Sequence, residues 1–161
     1  MKMKYPRIQI PKDPTSWNVE SFSHGRGEDE FWGYEPETSE LRDGVVLTKP
    51  YDLEERTAQF GEAIIRFAKH IPENAVNYRL ISQLVGAGTS VGANYCEADE
   101  GVSRKDYKNR IGTCKKEARE TKFFLRMVAV TEESLKAEAR ALWLEARELH
   151  LIFAALYRKQ K

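Results

Sequence analysis

Apolar residues recur at spacings of three and four from about residue 51 to the end of the chain, and no such rhythm precedes them. Leu53, Phe60, Ile64, Ala68 and Ile71 predict a first helix over about 52–71. Asp52, with Glu55 three residues on, has the form of a capping box, and Pro72 ends the pattern. Val76, Leu80, Leu84, Ala87, Val91, Tyr95 and Ala98 predict a second helix over about 74–100. Ser103 and Asp106 open a third over about 103–130, with the seam Tyr107, Ile111, Cys114, Ala118, Thr121, Leu125 and Val128. Thr131 is the expected cap of a fourth over about 132–158, where Glu132 and Glu133 suit the positive end of the helix dipole. Its seam is Leu135, Ala139, Leu142, Ala146, Leu149, Phe153 and Leu156, with Lys159 and Lys161 at the negative end. Strand signals are nearly absent. Four amphipathic helices with short connections predict an all-α, antiparallel up-down four-helix bundle over 49–161.

Two of these helices carry more apolar surface than one seam requires. Trp143, Leu144, Leu151 and Ile152 form a second row on the fourth helix, and Phe123, Phe124 and Met127 on the third. Part of that excess widens the core stripe. The remainder would be exposed on a single chain and predicts self-association.

Residues 1–48 form a separate N-terminal arm, expected to be irregular. It holds Pro6, Pro11, Pro14, Pro36, Gly25, Gly27, Gly33 and Gly44. Between Thr15 and Gly44 two bases, Arg26 and Arg42, stand against eight acids, so the segment carries 2 − 8 = −6. Trp17, Phe22, Phe31, Trp32 and Tyr34 lie in the same stretch, and solvated linkers are poor in aromatics. Two readings stay open: an extended arm that docks its aromatics, or a largely disordered tail.

With 161 residues the chain can bury a core without staples. Lys plus Arg is 26 and Asp plus Glu 25, a net charge of +1, which excludes a globally basic nucleic-acid binder. No apolar run approaches a membrane span and the first residues lack an apolar signal core, so no membrane partner and a cytoplasmic location are expected. Two cysteines, Cys96 and Cys114, make no disulfide framework and suit a reducing compartment.

The most unusual stretch is Gly86-Ala87-Gly88-Thr89-Ser90-Val91-Gly92-Ala93-Asn94-Tyr95. A dinucleotide loop needs Gly-x-Gly-x-x-Gly between a strand and a helix. Here the third glycine comes one position late and the preceding residues read as helix. Helical glycines cost about 0.8–1 kcal/mol each against alanine. Close backbone approach by a neighbouring helix or subunit compensates such a cost. Gly86, Gly88, Gly92, Ala93, Asn94 and Tyr95 are therefore the candidates for close helix packing.

The string Gly88 to Tyr95, then Glu97-Ala98, Ser103 with Asp106-Tyr107, and Lys116-Glu117-Ala118 with Glu120-Thr121, resembles the bacterial four-helix-bundle proteins encoded in 23S rRNA intervening sequences. That family is in turn similar to the accessory variability protein of diversity-generating retroelements. The resemblance covers about residues 52–130, and 131–158 by helix pattern. It implies a bundle that assembles as a ring, commonly a homopentamer, with no catalytic residue. In the accessory protein a basic face binds nucleic acid. The chain departs from the family at Gly86 and Cys96, where bases are frequent, and in its acidic arm.

The third helix is strongly basic. From Ser103 to Arg126 nine bases face three acids, 9 − 3 = +6. Lys105, Lys108, Lys115, Arg119 and Lys122 fall on one flank away from the apolar seam and are the candidate phosphate contacts for RNA or DNA. The structural alternative is a solvated face with pairs such as Lys116 with Glu120. The opposite charges of arm and helix suggest that the arm lies against the basic face of its own or a neighbouring subunit. An arm that recognises a basic protein partner is equally simple.

Catalytic signals are sparse. No Glu-x-x-His precedes His24, His70 or His150, so no di-metal bundle site is expected. Glu97, Glu100 and Cys96 read as solvated groups rather than ligands, and Cys114 as a core thiol. Asn94 and Tyr95 suit hydrogen bonding within the core or between subunits better than catalysis. The expectation is a non-enzymatic oligomeric accessory or scaffold protein without cofactor or metal that associates with nucleic acid. Its rival is a protein–protein assembly module whose arm recognises a partner.

Overall fold

The structure is a computed structural model that describes residues 26–33 and 52–159. The chain divides into two compact units, Met1–Tyr51 and Asp52–Lys161. In the first, α1 (Arg26–Trp32) is helical, which corrects the expectation of a wholly irregular arm. Its edge-to-face pair Phe31–Trp32, with centroids 4.9 Å apart, and a left-handed Gly33 (φ 61°) close it. The rest of the arm, and with it the choice between docked and disordered, lies outside the described residues.

The second unit contains α2 (Leu53–Ala68), α3 (Asn77–Asp99), α4 (Arg104–Thr131) and α5 (Lys136–Arg158). Two of the starts follow from capping. Asp52 Oδ1 accepts from Glu55 N at 3.0 Å, and Ser103 Oγ accepts from Asp106 N at 3.1 Å. The other two starts come later than the apolar pattern predicts. Asn74 Oδ1 accepts from the amides of Val76 and Asn77, which ties down a turn, so α3 begins at 77 and Val76 is exposed. Thr131 belongs to the last turn of α4, where its hydroxyl donates to Val128 O. A short 3₁₀ turn, Glu133–Leu135, then leads into α5.

Contacts between side chains on paired helices fix the register. Gly88 lies against Ile64 and Gly92 against Thr57, so α2 and α3 run antiparallel. Arg110 reaches Asn94 and Glu97, while Asn77 Nδ2 donates to Glu132 Oε1, so α3 and α4 are antiparallel. Lys115 lies over Tyr157 and Lys122 over Trp143, so α4 and α5 are antiparallel. Arg56 clamps Glu145 and Glu148, and His70 Nδ1 lies 3.2 Å from Glu138, which closes α5 onto α2. The protein is all-helical among the described residues, a four-helix bundle in up-down order.

The core is built largely from the predicted seams: Ile64, Leu84, Val91, Ile111, Cys114, Leu125, Leu149 and Phe153 have no solvent exposure, and Phe67, outside the predicted seam of α2, is buried with them. From the second row on α5 Trp143 joins them, while Leu144, Leu151 and Ile152 are half-buried. Phe123, 52 % exposed, does not join the core. No helix among the described residues is long and apolar enough to cross a membrane.

Candidate nucleic-acid interface

The glycine segment is helical throughout and makes two different surfaces. Gly88 and Gly92 face α2: a Cβ at Gly88 would meet Ile64 Cγ1 and Cγ2 at 2.8 Å, and one at Gly92 the Thr57 carbonyl oxygen at 3.3 Å. Gly61 on α2 returns the contact, with Thr89 Cα 3.7 Å from its would-be Cβ. Gly88 and Gly92 let the two helices approach where side chains would hold them apart, whereas a Cβ at Gly61 would sit in ordinary contact. Gly86 and Ala93 point elsewhere. Gly86 has nothing within 4 Å of a would-be Cβ, and both residues are exposed, so close packing within the chain does not extend to them. Asn94 Nδ2 donates to Ser90 O, and its Oδ1 accepts from Arg110. Tyr95 tilts against Phe153 of the diagonal helix, with ring centroids 5.8 Å apart. Burial, then the neighbouring Tyr107, pushes its hydroxyl well above the usual phenol range.

The basic helix has a sharper polarity than its net charge indicates. At about 100° per residue, Arg104, Lys105, Lys108, Lys115, Lys116, Arg119, Lys122 and Arg126 occupy a sector of about 120°. The remaining base, Arg110, lies on the α3 side, 2.6 Å from Glu97. The three acids of α4, Asp106, Glu117 and Glu120, all fall outside the basic sector. Burial, and then Glu120, raises the Glu117 carboxyl.

The five candidate bases are not equivalent. Lys105 and Arg119 are exposed, as is Lys116 beside them. Lys108 and Lys115 are half-buried, their ammonium groups 5.2 and 4.6 Å from the Tyr157 ring centroid. Gly112 makes room for that ring: its would-be Cβ stands 3.1 Å from Tyr157 Cε2. Lys122 is only 3 % exposed and lies 5.0 Å from the Trp143 centroid. It is therefore a member of the α4–α5 seam and not a surface phosphate contact. A helical wheel gives its flank, whereas the bulk of Trp143 decides that the flank is covered there.

The partner helix extends the charge, which the sequence reading passed over. Lys136, Arg140, Arg147 and Arg158 fall within about 40° of one another on the side of α5 next to Trp143 and Tyr157. The acids of α5, Glu138, Glu145 and Glu148, lie on the α2 side, where Arg56 and His70 meet them. The 11-residue steps from 136 to 147 to 158 carried this signal, since three turns return to the same flank. Antiparallel packing then sets both basic flanks side by side.

Little else among the described residues is arranged for chemistry. A shallow recess between α2 and α5 is lined by Ala63, Arg66, His70, Glu138 and Leu142. No group of three or more potential metal ligands occurs among the described residues. Both cysteines are free. Cys96 is exposed but raised, first by desolvation and then by Glu54; Cys114 is buried and pushed up to about 12. Neither thiol is poised as a thiolate.

A family model described as 23S rRNA-intervening sequence protein matches residues 50–154. Among solved structures, a protein of unknown function from the S23 ribosomal protein family of Bacteroides thetaiotaomicron is similar, with TM-score 0.58 and 25 % identity. The match covers 65 % of this chain and 97 % of that one. No curated protein matches the chain.

Proposed function

The chain belongs to the 23S rRNA-intervening sequence protein family, and from that premise we propose that it is a non-enzymatic, cytoplasmic, homo-oligomeric accessory protein that associates with RNA or DNA through its α4–α5 face. The observation that carries this is the sorting of charge. Eight bases of α4 and four of α5 share one side of the bundle, and no acid of either helix lies in those sectors. Like charges gathered this way repel one another, and a polyanion relieves that repulsion while releasing its own counterions. Lys105, Lys116 and Arg119 make the outer phosphate contacts. Lys108 and Lys115, braced on Tyr157, make the inner ones. Contacts of this kind position a backbone and read no sequence.

Exposed Phe123 and Val130, at 52 % and 64 %, lie seven residues apart on the same helix and support self-association, with a five-membered ring as the proposed assembly. Fluorescence anisotropy of a labelled RNA and of a DNA duplex, repeated across a salt series, tests the nucleic-acid reading. A face making about six phosphate contacts loses about 10³-fold in affinity between 50 and 200 mM salt. No binding at the low-salt end would leave the assembly-module reading in its place. Sedimentation or mass photometry gives the subunit number.

A further inference from the structure

We propose that the polyanion taken by the α4–α5 face is a double helix rather than a single strand, about one turn of it, with one phosphate line along each helix of the pair. This rests on the reading of that face as a nucleic-acid site, and it adds the form of the ligand. The bases stand in two rows. The α4 row runs from Lys105 to Arg126 and the α5 row from Lys136 to Arg158, about 32 and 33 Å at about 1.5 Å per residue. Antiparallel packing sets the rows side by side, and packed helices have axes about 8–10 Å apart. A single strand has one line of phosphates and meets one row at a time. A duplex has two lines, about 6 Å apart across the minor groove of B-DNA and about 12 Å across the major groove. The spacing of the rows lies between those widths, and the long lysine and arginine stems take up the difference.

The charges point the same way. Over about 32 Å a single strand carries about 9 charges, at about 3.4 Å each, and a duplex about 19. Eight bases of α4 and four of α5 border the seam, more than one strand neutralises and within what two strands do. The rings on this face are also committed. A single-strand site offers aromatic faces on which unpaired bases stack. Here Lys108 and Lys115 stand over Tyr157, 5.2 and 4.6 Å from its centroid, and Trp143, under Lys122, has no solvent exposure. Phe123 is exposed, but it leans edge-on against Phe124, centroids 5.3 Å apart, and shares its side of α4 with Met127 and Val130 at i+4 and i+7. It belongs to the apolar patch that supports self-association.

Fluorescence anisotropy on the full chain tests this with four labelled ligands of equal length, about one helical turn: a DNA duplex, an RNA duplex and an unpaired strand of each. With about six phosphate contacts on duplex DNA and about three on one strand, log affinity is expected to fall against log salt with slopes of about −5 and −2. A duplex of either backbone is expected to bind at least about tenfold tighter than its own strand at about 100 mM salt. The two duplex arms separate an A-form from a B-form ligand, and tighter binding of either one over its strand supports the inference. Strands that bind as tightly as their duplexes overturn it and leave the nucleic-acid reading standing, whereas no binding of any ligand at low salt removes both. A variant combining Lys136→Gln and Arg158→Gln takes one charge from each end of the α5 row. Its slope on duplex DNA is expected to drop by about 1.8, while the slope on a strand, which lies along α4, stays unchanged. Equal losses on duplex and strand, in a variant with unchanged helical circular dichroism, overturn the two-row arrangement.

Discussion

Two glycines two residues apart on α3 are expected to answer the same substitution in opposite directions. Gly86→Ala adds a methyl where nothing lies within 4 Å, so it keeps the whole gain in helix propensity, about 0.8–1 kcal/mol. Gly88→Ala gains the same propensity but sets its methyl 2.8 Å from both γ-carbons of Ile64 and 3.1 Å from its β-carbon. Carbon atoms prefer about 3.5–4.0 Å, so the overlap is about 0.7–1.2 Å. Ile64 has no solvent exposure and is β-branched, so it has no free rotamer in which to retreat. The helices must separate or the side chain must strain, at a cost of about 1–3 kcal/mol. Because the propensity gain is common to both variants, Gly88→Ala should be less stable than Gly86→Ala by about 1–3 kcal/mol. Urea denaturation followed by helical circular dichroism measures this at matched protomer concentration, with an unchanged denaturant slope as the control. Ile64→Ala closes a double-mutant cycle: alone it costs about 2–5 kcal/mol, and combined with Gly88→Ala the total should fall short of the sum by about 1 kcal/mol or more. Equal stability of the two alanine variants, or a strictly additive cycle, would refute close packing at Gly88.

The basic face separates into surface and seam. Lys116→Ala and Arg119→Ala should each lower the slope of log affinity against log salt by about 0.9 on duplex DNA and leave stability within about 0.5 kcal/mol. Lys122→Ala should instead lower the unfolding free energy by roughly 1 kcal/mol, because its stem and its ammonium group pack on Trp143. Arg56→Ala breaks two hydrogen bonds to Glu145 and one to Glu148 and should cost about 1 kcal/mol in the same assay, less at high salt. The Cys114 thiol sits at about 12 in the fold against an ordinary 9.0. Between those values the folded chain keeps a proton that the unfolded chain has lost, so stability is intact below pH 9 and falls as pH rises towards 12. Cys114→Ala should flatten the first part of that fall. A thiol reagent should label Cys96 in the native protein and Cys114 only after denaturation.

What a one-dimensional pattern records is which residues a helix sends inward, not what lies on the far side of them. The seam of α4 was legible because Ile111, Cys114, Ala118, Thr121, Leu125 and Val128 alternate at three and four, and all are buried. The basic flank was legible for the same reason, and Lys122 was misplaced on it because flank and exposure are different quantities. A lysine one position round from the core is covered when the facing residue is as large as Trp143, and uncovered when it is small. Glycines carry the same ambiguity. Gly86, Gly88 and Gly92 pose one question to a sequence reading, but only the register against α2, fixed by Ile64 and Thr57, separates packing glycines from an exposed one. Val76 shows a third case: its spacing fits the α3 seam, yet the Asn74 side chain captures two amides and holds the chain in a turn before the helix starts. Each of these outcomes turns on a residue in a different element, or on a local hydrogen bond that outcompetes periodicity. The same reasoning explains why the α5 bases went unread. Lys136, Arg140, Arg147 and Arg158 form no run in the chain, and become part of one surface only when antiparallel packing sets them beside α4.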